Sequence, residues 1–411
     1  MSALRVLKIL HGCPPDAMGG AGIVAGVQAV ALQEHGCKVF IAHPASDGPS
    51  AWRGVALHAA HVAGPRGFRG SWDGSPSAVR RMLHLLQPDV VHVHHLSGWP
   101  LNLPVIARDW GARVVITLHD YAIPCARGQL VDRDGTVCTG PSTTTCSPCL
   151  SPYLGVVARL TGWAPPGDRT MVRTRVERAT NALAAAHVRL APSVDLANRM
   201  MRMGVGTVHV EPIPLPQPIA PAPTGAPGPV RFLFCGSIIP TKGLHLLLDA
   251  FARLSDHSAT LTIAGPQPPY PPDPQYGARL ERRARTDPRV QWIGAQHHDA
   301  IEALLARHDV LVVPSTWPEN SPVIVREATA AGLRTIAPRI GGSRELDPQS
   351  LLVDTIGPQP EDSLFAALVT ECHEGRKKRS PIEWPTPNAS AASLYRRWYP
   401  SESRAEPLDT D

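Results

Sequence analysis

The stretch that decides the fold is Pro314-Ser315-Thr316-Trp317-Pro318-Glu319-Asn320-Ser321-Pro322-Val323-Ile324-Val325-Arg326-Glu327-Ala328. It lies between two short apolar runs, Asp309–Val313 and Leu333–Ala337, of the kind that fill a buried parallel sheet. Ser321 is a good N-cap, Pro322 suits the first helical position and Gly332 suits the far end. The spacing therefore predicts a helix over Pro322–Ala331, with Glu319 in the loop ahead of it and Glu327 inside it. The amino end of such a helix offers unpaired N–H groups and a positive dipole end, where a diphosphate can sit. Carboxylates on either side can accept hydrogen bonds from hydroxyl groups. Either glutamate alone reads as a solvated surface charge; strand, Pro-Ser turn, Glu-x7-Glu and capped helix together are specific.

The same alternation extends outward. Val230–Cys235 reads as a strand, followed by Gly236, a loop to Gly243 and a helix to about Leu254. Thr260–Ala264 and Val290–Ile293 are further strands, and His298–Arg307 is helical. Upstream, residues 212–229 hold eight prolines in 18 positions, which neither a central strand nor a helix interior tolerates. They read as a semi-rigid linker. Before it, Leu4–Leu10, Lys38–Ala42, Asp89–His94 and Arg113–Leu118 are strands, and a glycine turn (Gly12, Gly19, Gly20, Gly22) opens a helix to about Gly36. The expected class is α/β, with two doubly wound units facing a cleft at their strand ends. The boundaries are 1–211, a linker 212–229, 230–375 and a tail 376–411, in which Ala391–Tyr399 is a terminal helix that crosses back to the first unit. Residues 265–276 hold six prolines and read as an exposed loop.

The Glu-x7-Glu segment resembles that of the retaining, GT-B-fold glycosyltransferases of family four, also called glycosyltransferase group 1. Phe232–Gly243 resembles the family's first C-domain strand and phosphate loop, and Gly341-Gly342-Ser343-Arg344-Glu345 its Gly-Gly-x-x-Glu segment. Met18–Gly22 resembles its N-terminal glycine loop; Val90–His94 and Thr117–Tyr121 resemble two N-domain strand ends. The likeness runs in order through about residues 4–375. It implies a nucleotide-diphosphate sugar donor, a UDP- or GDP-sugar, in the C-domain and an acceptor on the N-domain. Glu319 would hold donor-sugar hydroxyls and Glu327 the ribose. Backbone N–H groups of Asn320, Ser321 and Val323, in the Asn320–Val323 turn that includes Pro322, would contact the sugar and phosphates, beside Gly236 and Ser237. Lys242 would neutralise the diphosphate, Gly19 and Gly20 would admit it closely, and His119 would stand beside the reacting sugar. Glu319, His119 and Lys242 are the expected catalytic set. Two departures stand out: Ser237 occupies the place of a usual Arg, for which Arg344 or Arg231 is a candidate substitute, and Asn320 replaces a commoner Gly.

Breaking a glycosyl–diphosphate bond develops positive charge on the sugar and negative charge on the leaving group. Lys242 and the helix end supply the electrostatic stabilisation, so no catalytic metal or cofactor is expected. Cys125, Cys138, Cys146 and Cys149, spaced C-x12-C-x7-C-x2-C in a loop spanning 125–149, suggest a structural zinc clip, with reduced packing cysteines as the other reading. His92, His94 and His95 read equally well as strand-end histidines without a chemical role. Net charge is +5, with no basic stripe interleaved with aromatics, which argues against nucleic acid. Arg66, Arg69, Arg80 and Arg81 form a basic face suited to peripheral contact with an anionic membrane or simply to solvent. The opening residues read as a buried strand and no secretory leader, which places the chain in the cytoplasm, and no run reaches a membrane span. The function expected is sugar transfer to a saccharide, lipid-linked or small-molecule acceptor in polysaccharide or glycoconjugate synthesis. A GT-B epimerase, or a silent subunit favoured by Ser237, stays open beside it.

Overall fold

A computed structural model describes residues 3–12, 19–44, 48–60, 75–132, 134–150, 169–223, 227–254, 258–270 and 272–400. Met18, Arg66 and Arg69, named above, lie outside the described residues.

Two open sheets divide the strands. The first joins β1 (Arg5–Ile9), β2 (Lys38–His43), β3 (Ala51–Trp52), β4 (Val55–Ala59), β5 (Val90–Val93), β6 (Arg113–Thr117), β7 (Val188–Ala191) and β8 (His209–Val210) in the order β3-β4-β2-β1-β5-β6-β7-β8. The second joins β9 (Val230–Cys235), β10 (Ala259–Ala264), β11 (Val290–Gly294), β12 (Val310–Val312), β13 (Arg334–Pro338) and β14 (Leu351–Val353) in the order β11-β10-β9-β12-β13-β14. Every pairing is parallel except the β3–β4 hairpin. Parallel strands buried on both faces explain the runs of Val, Ile and Leu. In each sheet the winding reverses beside the first strand, between β1 and β5 and between β9 and β12. Such switch points leave a crevice at the carboxyl ends of the strands, where doubly wound folds bind ligands.

Among the described residues the helices include α1 (Gly20–Glu34), α2 (Pro76–Leu86), α3 (Leu103–Asp109), α4 (Arg169–Ala185), α5 (Val194–Arg202), α6 (Leu244–Phe251), α7 (Tyr276–Ala284), α8 (Ile301–Ala306), α9 (Val323–Ala330), α10 (Pro360–Glu374) and α11 (Pro387–Ser393). α2 shows the sequence logic plainly. Ser75 accepts from the Ala78 amide, Pro76 opens the helix, and Val79, Met82, Leu83 and Leu86 bury one stripe. Met200 of α5 is buried in the N-terminal core, as packing and not a cofactor site.

The tail passes over both units. Arg379 and Ile382 donate amides to Gly332 and Thr329 of the second. Ala391, Leu394 and Tyr399 then bury against β1, β2 and α1 residues of the first. The Ala391–Tyr399 stretch is the end of α11 continued by a wider turn, Leu394–Trp398. The proline-rich loop after β10 is shorter than the sequence suggests, because Tyr276 already begins α7.

One expectation needs correction. Helix α9 begins at Val323, not Pro322, and its N-cap is Pro322 without a side-chain cap. The Ser321 hydroxyl instead accepts from Arg326 Nε at 2.9 Å. Arg326 is a buried cation stacked on Trp384, and it outcompetes a neutral amide for that oxygen. The amino end of α9 is left without a side-chain cap.

Candidate active site

The C-terminal crevice gathers the charged residues. Glu319 is 3% exposed and its Oε2 accepts from Lys242 Nζ at 2.7 Å. Its other oxygen accepts from the Ser315 hydroxyl. Lys242 also stands 5.7 Å from the Trp317 ring centroid. Glycine makes this closeness possible. Gly243 adopts φ +69°, and a Cβ there would fall 1.8 Å from the Pro314 carbonyl. A Cβ on Gly342 would fall 2.0 Å from the Asn320 carbonyl. The two glycines let the loop after β9 and the Gly341–Glu345 turn close on the Glu319 loop from both sides.

Glu327 sits one turn into α9 and is 2% exposed. Burial pushes its carboxyl up to about 8. His298 Nε2 approaches Oε1 at 3.5 Å, and neither atom has a hydrogen-bond partner among the described residues. Asn320 Oδ1, Thr241 Oγ1 and Trp317 Nε1 are likewise buried without a partner. Buried polar groups are normally satisfied, so a cluster of unsatisfied ones marks a place shaped for a ligand.

The N-terminal crevice faces this one. Asn320 Nδ2 donates to the His119 carbonyl at 2.7 Å, and Tyr121 meets Trp317 edge-on with centroids 6.4 Å apart. A Cβ on Gly20 would lie 3.3 Å from Val323 Cγ2, so the start of α1 abuts the start of α9. Gly19 is the α1 N-cap and, like Pro322, offers no side-chain cap. Glu345 joins the units on another side, its carboxylate accepting from the Val194 and Asp195 amides at 2.7 Å each. The site thus brings Gly19, Gly20, His119, Lys242, Glu319, Asn320, Val323 and Glu327 to one cleft. Gly236 follows β9 at its rim, its amide donating to Ala264.

Family models match both halves. Residues 18–216 match Glycosyltransferase Family 4, and residues 229–370 match Glycosyl transferases group 1. This chain belongs to the family-four, group 1 glycosyltransferases. Solved structures give the fold as GT-B. HepE of Anabaena in complex with UDP is 15% identical with a TM-score of 0.61, the alignment covering 96% of each chain. Sucrose-phosphate synthase of Thermosynechococcus elongatus is 16% identical with a TM-score of 0.64, over 96% of this chain and 95% of that one. WaaG, a glycosyltransferase of lipopolysaccharide biosynthesis, is 14% identical with a TM-score of 0.55, over 96% and 95%. A search among curated proteins finds no match.

In this glycosyltransferase Arg231 is no substitute for the arginine missing at Ser237. It pairs with Asp309 at 2.7 Å at the start of β9, whereas Ser237 follows the end of that six-residue strand. Six residues of strand put them about 20 Å apart. Arg344 is exposed in the turn that packs on Asn320.

Lys8 and Tyr399, which sequence reasoning passed over, stand behind the site with His92 and His94, whose role the sequence left open. Lys8 and His94 lie behind His119: Lys8 Nζ is 3.1 Å from His94 Nε2, and His94 Nδ1 is 2.9 Å from His119 Nε2. His92 joins the Tyr399 hydroxyl to Thr117 at 2.7 Å on each side. Burial lowers all three histidines, His119 to about 3; neighbouring basic groups add to it at each, and at His119 the Asp120 carboxylate opposes it. The alternation in Val90-Val91-His92-Val93-His94 does place His92 and His94 on one sheet face, the signal that was available. His95 instead turns to Asp120 at 3.2 Å.

The four cysteines are reduced and near one another. Cys125, Cys146 and Cys149 line a cavity of about 30 Å³ above buried Arg175. The Cys138 thiol donates to the Gly140 carbonyl at 3.3 Å. Among the described residues no three His, Cys, Asp or Glu side chains stand in a metal-holding arrangement. The zinc clip therefore remains a proposal carried by spacing, which metal analysis tests: about one zinc per chain supports it and none removes it.

Proposed function

We propose that this glycosyltransferase moves a sugar, with retention of configuration, from a nucleoside-diphosphate sugar to a hydroxyl of a saccharide, lipid-linked or small-molecule acceptor, in polysaccharide or glycoconjugate synthesis. One observation carries the reading: Glu319 is bridged to Lys242 beside the uncapped amino end of α9, with Glu327, whose Oε1 has no hydrogen-bond partner among the described residues, one turn inside. The diphosphate takes Lys242 and the helix end, the sugar hydroxyls take Glu319, and the ribose takes Glu327. The bond from the anomeric carbon to the diphosphate oxygen breaks and a bond to the acceptor oxygen forms. The acceptor's proton leaves with the diphosphate or to water. Lys242 and the α9 amides meet the charge that develops on the leaving group, without a catalytic metal. His119 faces the sugar from the N-terminal crevice.

The similar HepE is solved in complex with UDP, with UDP and glucose, and with UDP-glucose, which favours a UDP-sugar donor. No helix among the described residues is long and apolar enough to cross a membrane. Contact with an anionic leaflet is part of the proposal, through Arg80 and Arg81, exposed on α2 with Leu85 one turn on. Flotation with anionic vesicles supports that contact, and equal behaviour with neutral vesicles removes it.

The deciding experiment measures nucleoside diphosphate release over a panel of nucleotide sugars, with and without candidate acceptors. Acceptor-dependent release with an α-linked product from an α-linked donor supports the proposal. An altered nucleotide sugar without an acceptor gives an epimerase, and binding without turnover gives a silent subunit.

A further inference from the structure

The least expected feature of the N-terminal crevice is Lys8. It is a central-strand residue of β1 and is fully buried. No carboxylate lies within ion-pair distance of it among the described residues. Its Nζ contacts Gln28 Oε1 at 2.9 Å and His94 Nε2 at 3.1 Å. A buried ammonium flanked only by neutral groups is costly, and burial lowers its pKa well below the usual lysine value. Burial without a counter-charge thus favours the neutral amine, with two N–H donors and one lone pair.

The polar atoms behind His119 form one chain. His119 Nε2 lies 2.9 Å from His94 Nδ1, His94 Nε2 lies 3.1 Å from Lys8 Nζ, and Lys8 Nζ lies 2.9 Å from Gln28 Oε1. Gln28 Nε2 then donates to the Ser390 hydroxyl at 2.8 Å. The Gln28 carbonyl can only accept, so Lys8 donates to it. An amine lone pair is a stronger base than a neutral imidazole nitrogen, and an imidazole N–H is a better donor than an amine N–H. The Lys8–His94 contact is therefore strongest with His94 donating. That fixes the proton of His94 on Nε2 and leaves its Nδ1 to accept from His119 Nε2–H. Every bond then points the same way, from the cleft toward the tail, an arrangement in which neighbouring hydrogen bonds strengthen one another. What remains at the His119 end is its unprotonated Nδ1, on the residue whose carbonyl accepts from Asn320 across the cleft.

We infer that Lys8 is a positioning residue: acting through His94, it holds His119 in the Nε2–H tautomer and so gives the cleft a hydrogen-bond acceptor for a hydroxyl of the bound sugar. The functional half of this inference rests on the role proposed above for His119; the tautomer half does not. Ser390 of α11 anchors the chain's far end, so the crossing tail holds the network as well as the core.

The test uses the full chain labelled with 15N-histidine. The tautomer of each imidazole is read from its two nitrogen shifts and its couplings to ring protons, with His119→Asn assigning the His119 signals. The expected result is His119 as the neutral Nε2–H form in the parent, its preference lost in Lys8→Met and kept in Lys8→Gln, whose carbonyl can still accept from His94. With UDP-glucose as the donor probe, kcat/KM should fall about tenfold in Lys8→Met and recover in Lys8→Gln, the size of one lost hydrogen bond. A parent His119 carrying its proton on Nδ1, or a folded Lys8→Met with an unchanged tautomer, overturns the inference. Unchanged turnover in His119→Ala overturns the role of the imidazole in transfer instead, and with it the functional half, whatever the tautomer.

Discussion

The two crevices that face each other are built on the same strand order yet solve opposite electrostatic problems. In the C-terminal one, beside β9 and β12, charge is kept and paired: Lys242 with Glu319 at 2.7 Å, next to an uncapped helix end. In the N-terminal one, beside β1 and β5, charge is suppressed. Three histidines and a lysine contact one another and other neutral groups, and burial disfavours the protonated form of each. Their difference divides the work. A charged diphosphate needs a charged, preorganised seat, whereas hydroxyls of a sugar or acceptor need neutral donors and acceptors that do not compete for the phosphates.

The strongest way to break this division is to remove the paired charges. Glu319→Ala and Lys242→Ala should each lower turnover at least tenfold, which is about 1.4 kcal/mol of transition-state stabilisation. Nucleoside diphosphate release under saturating donor measures it. Parent-like turnover in both variants would return the pair to the status of a buried structural salt bridge. His119→Ala tests the other crevice, and a drop of about tenfold in kcat with donor affinity nearly unchanged is expected. An equal loss of donor binding would mean that the imidazole grips the ground state as firmly as the transition state.

Much of this was legible in the sequence. The alternation of strands and helices, the Glu-x7-Glu spacing and Lys242 ahead of Gly243 are local signals, and local signals survive in one dimension. What was not legible depends on contacts far apart in the chain. Lys8 reads as a mere interruption of an apolar strand until His94, 86 positions away, stands beside it. Tyr399 reads as tail until it meets His92, 307 positions away. Short edge strands such as His209–Val210 have too few residues to show a period. Ser321 looked like a cap because cap preference is local, and Arg326 overrode it.

Glu327 gives a smaller effect that sharpens the comparison, since it is a buried acid of the C-terminal crevice whose Oε1 has no hydrogen-bond partner among the described residues. Its folded pKa of about 8 lies above the ordinary value of 4.5. Below the ordinary value both folded and unfolded chains hold the proton, and the group's full contribution to stability is present. As pH rises toward 8 the unfolded chain gives up the proton while the folded one keeps it, so stability is lost across that window. Glu327→Gln should remove this slope. Its ligand-free melting temperature should match the parent near pH 4.5 and exceed it by at least about 2 °C near pH 9, while nucleotide affinity falls. A parent-like pH dependence in the variant would show that Glu327 is ionised at neutral pH, held by a cation or water chain.

The smallest effect concerns what holds the crevices face to face. Glu345 accepts the Val194 and Asp195 amides at the start of α5, so a residue of the second unit caps a helix of the first. A carboxylate at a helix amino end contributes about 0.5–1 kcal/mol, and salt screens it. If Glu345 only clasps the units, Glu345→Gln should lower the melting temperature by about 1–3 °C at low salt and less at high salt, with turnover changed less than about threefold. The position lies in the segment that resembles the family's Gly-Gly-x-x-Glu, so the opposite result is equally informative. A tenfold fall in turnover with little change in melting temperature would move Glu345 from the clasp into the charged crevice. It would also mean that the contact with α5 opens when donor binds, because one carboxylate cannot cap the helix and hold the ligand at once.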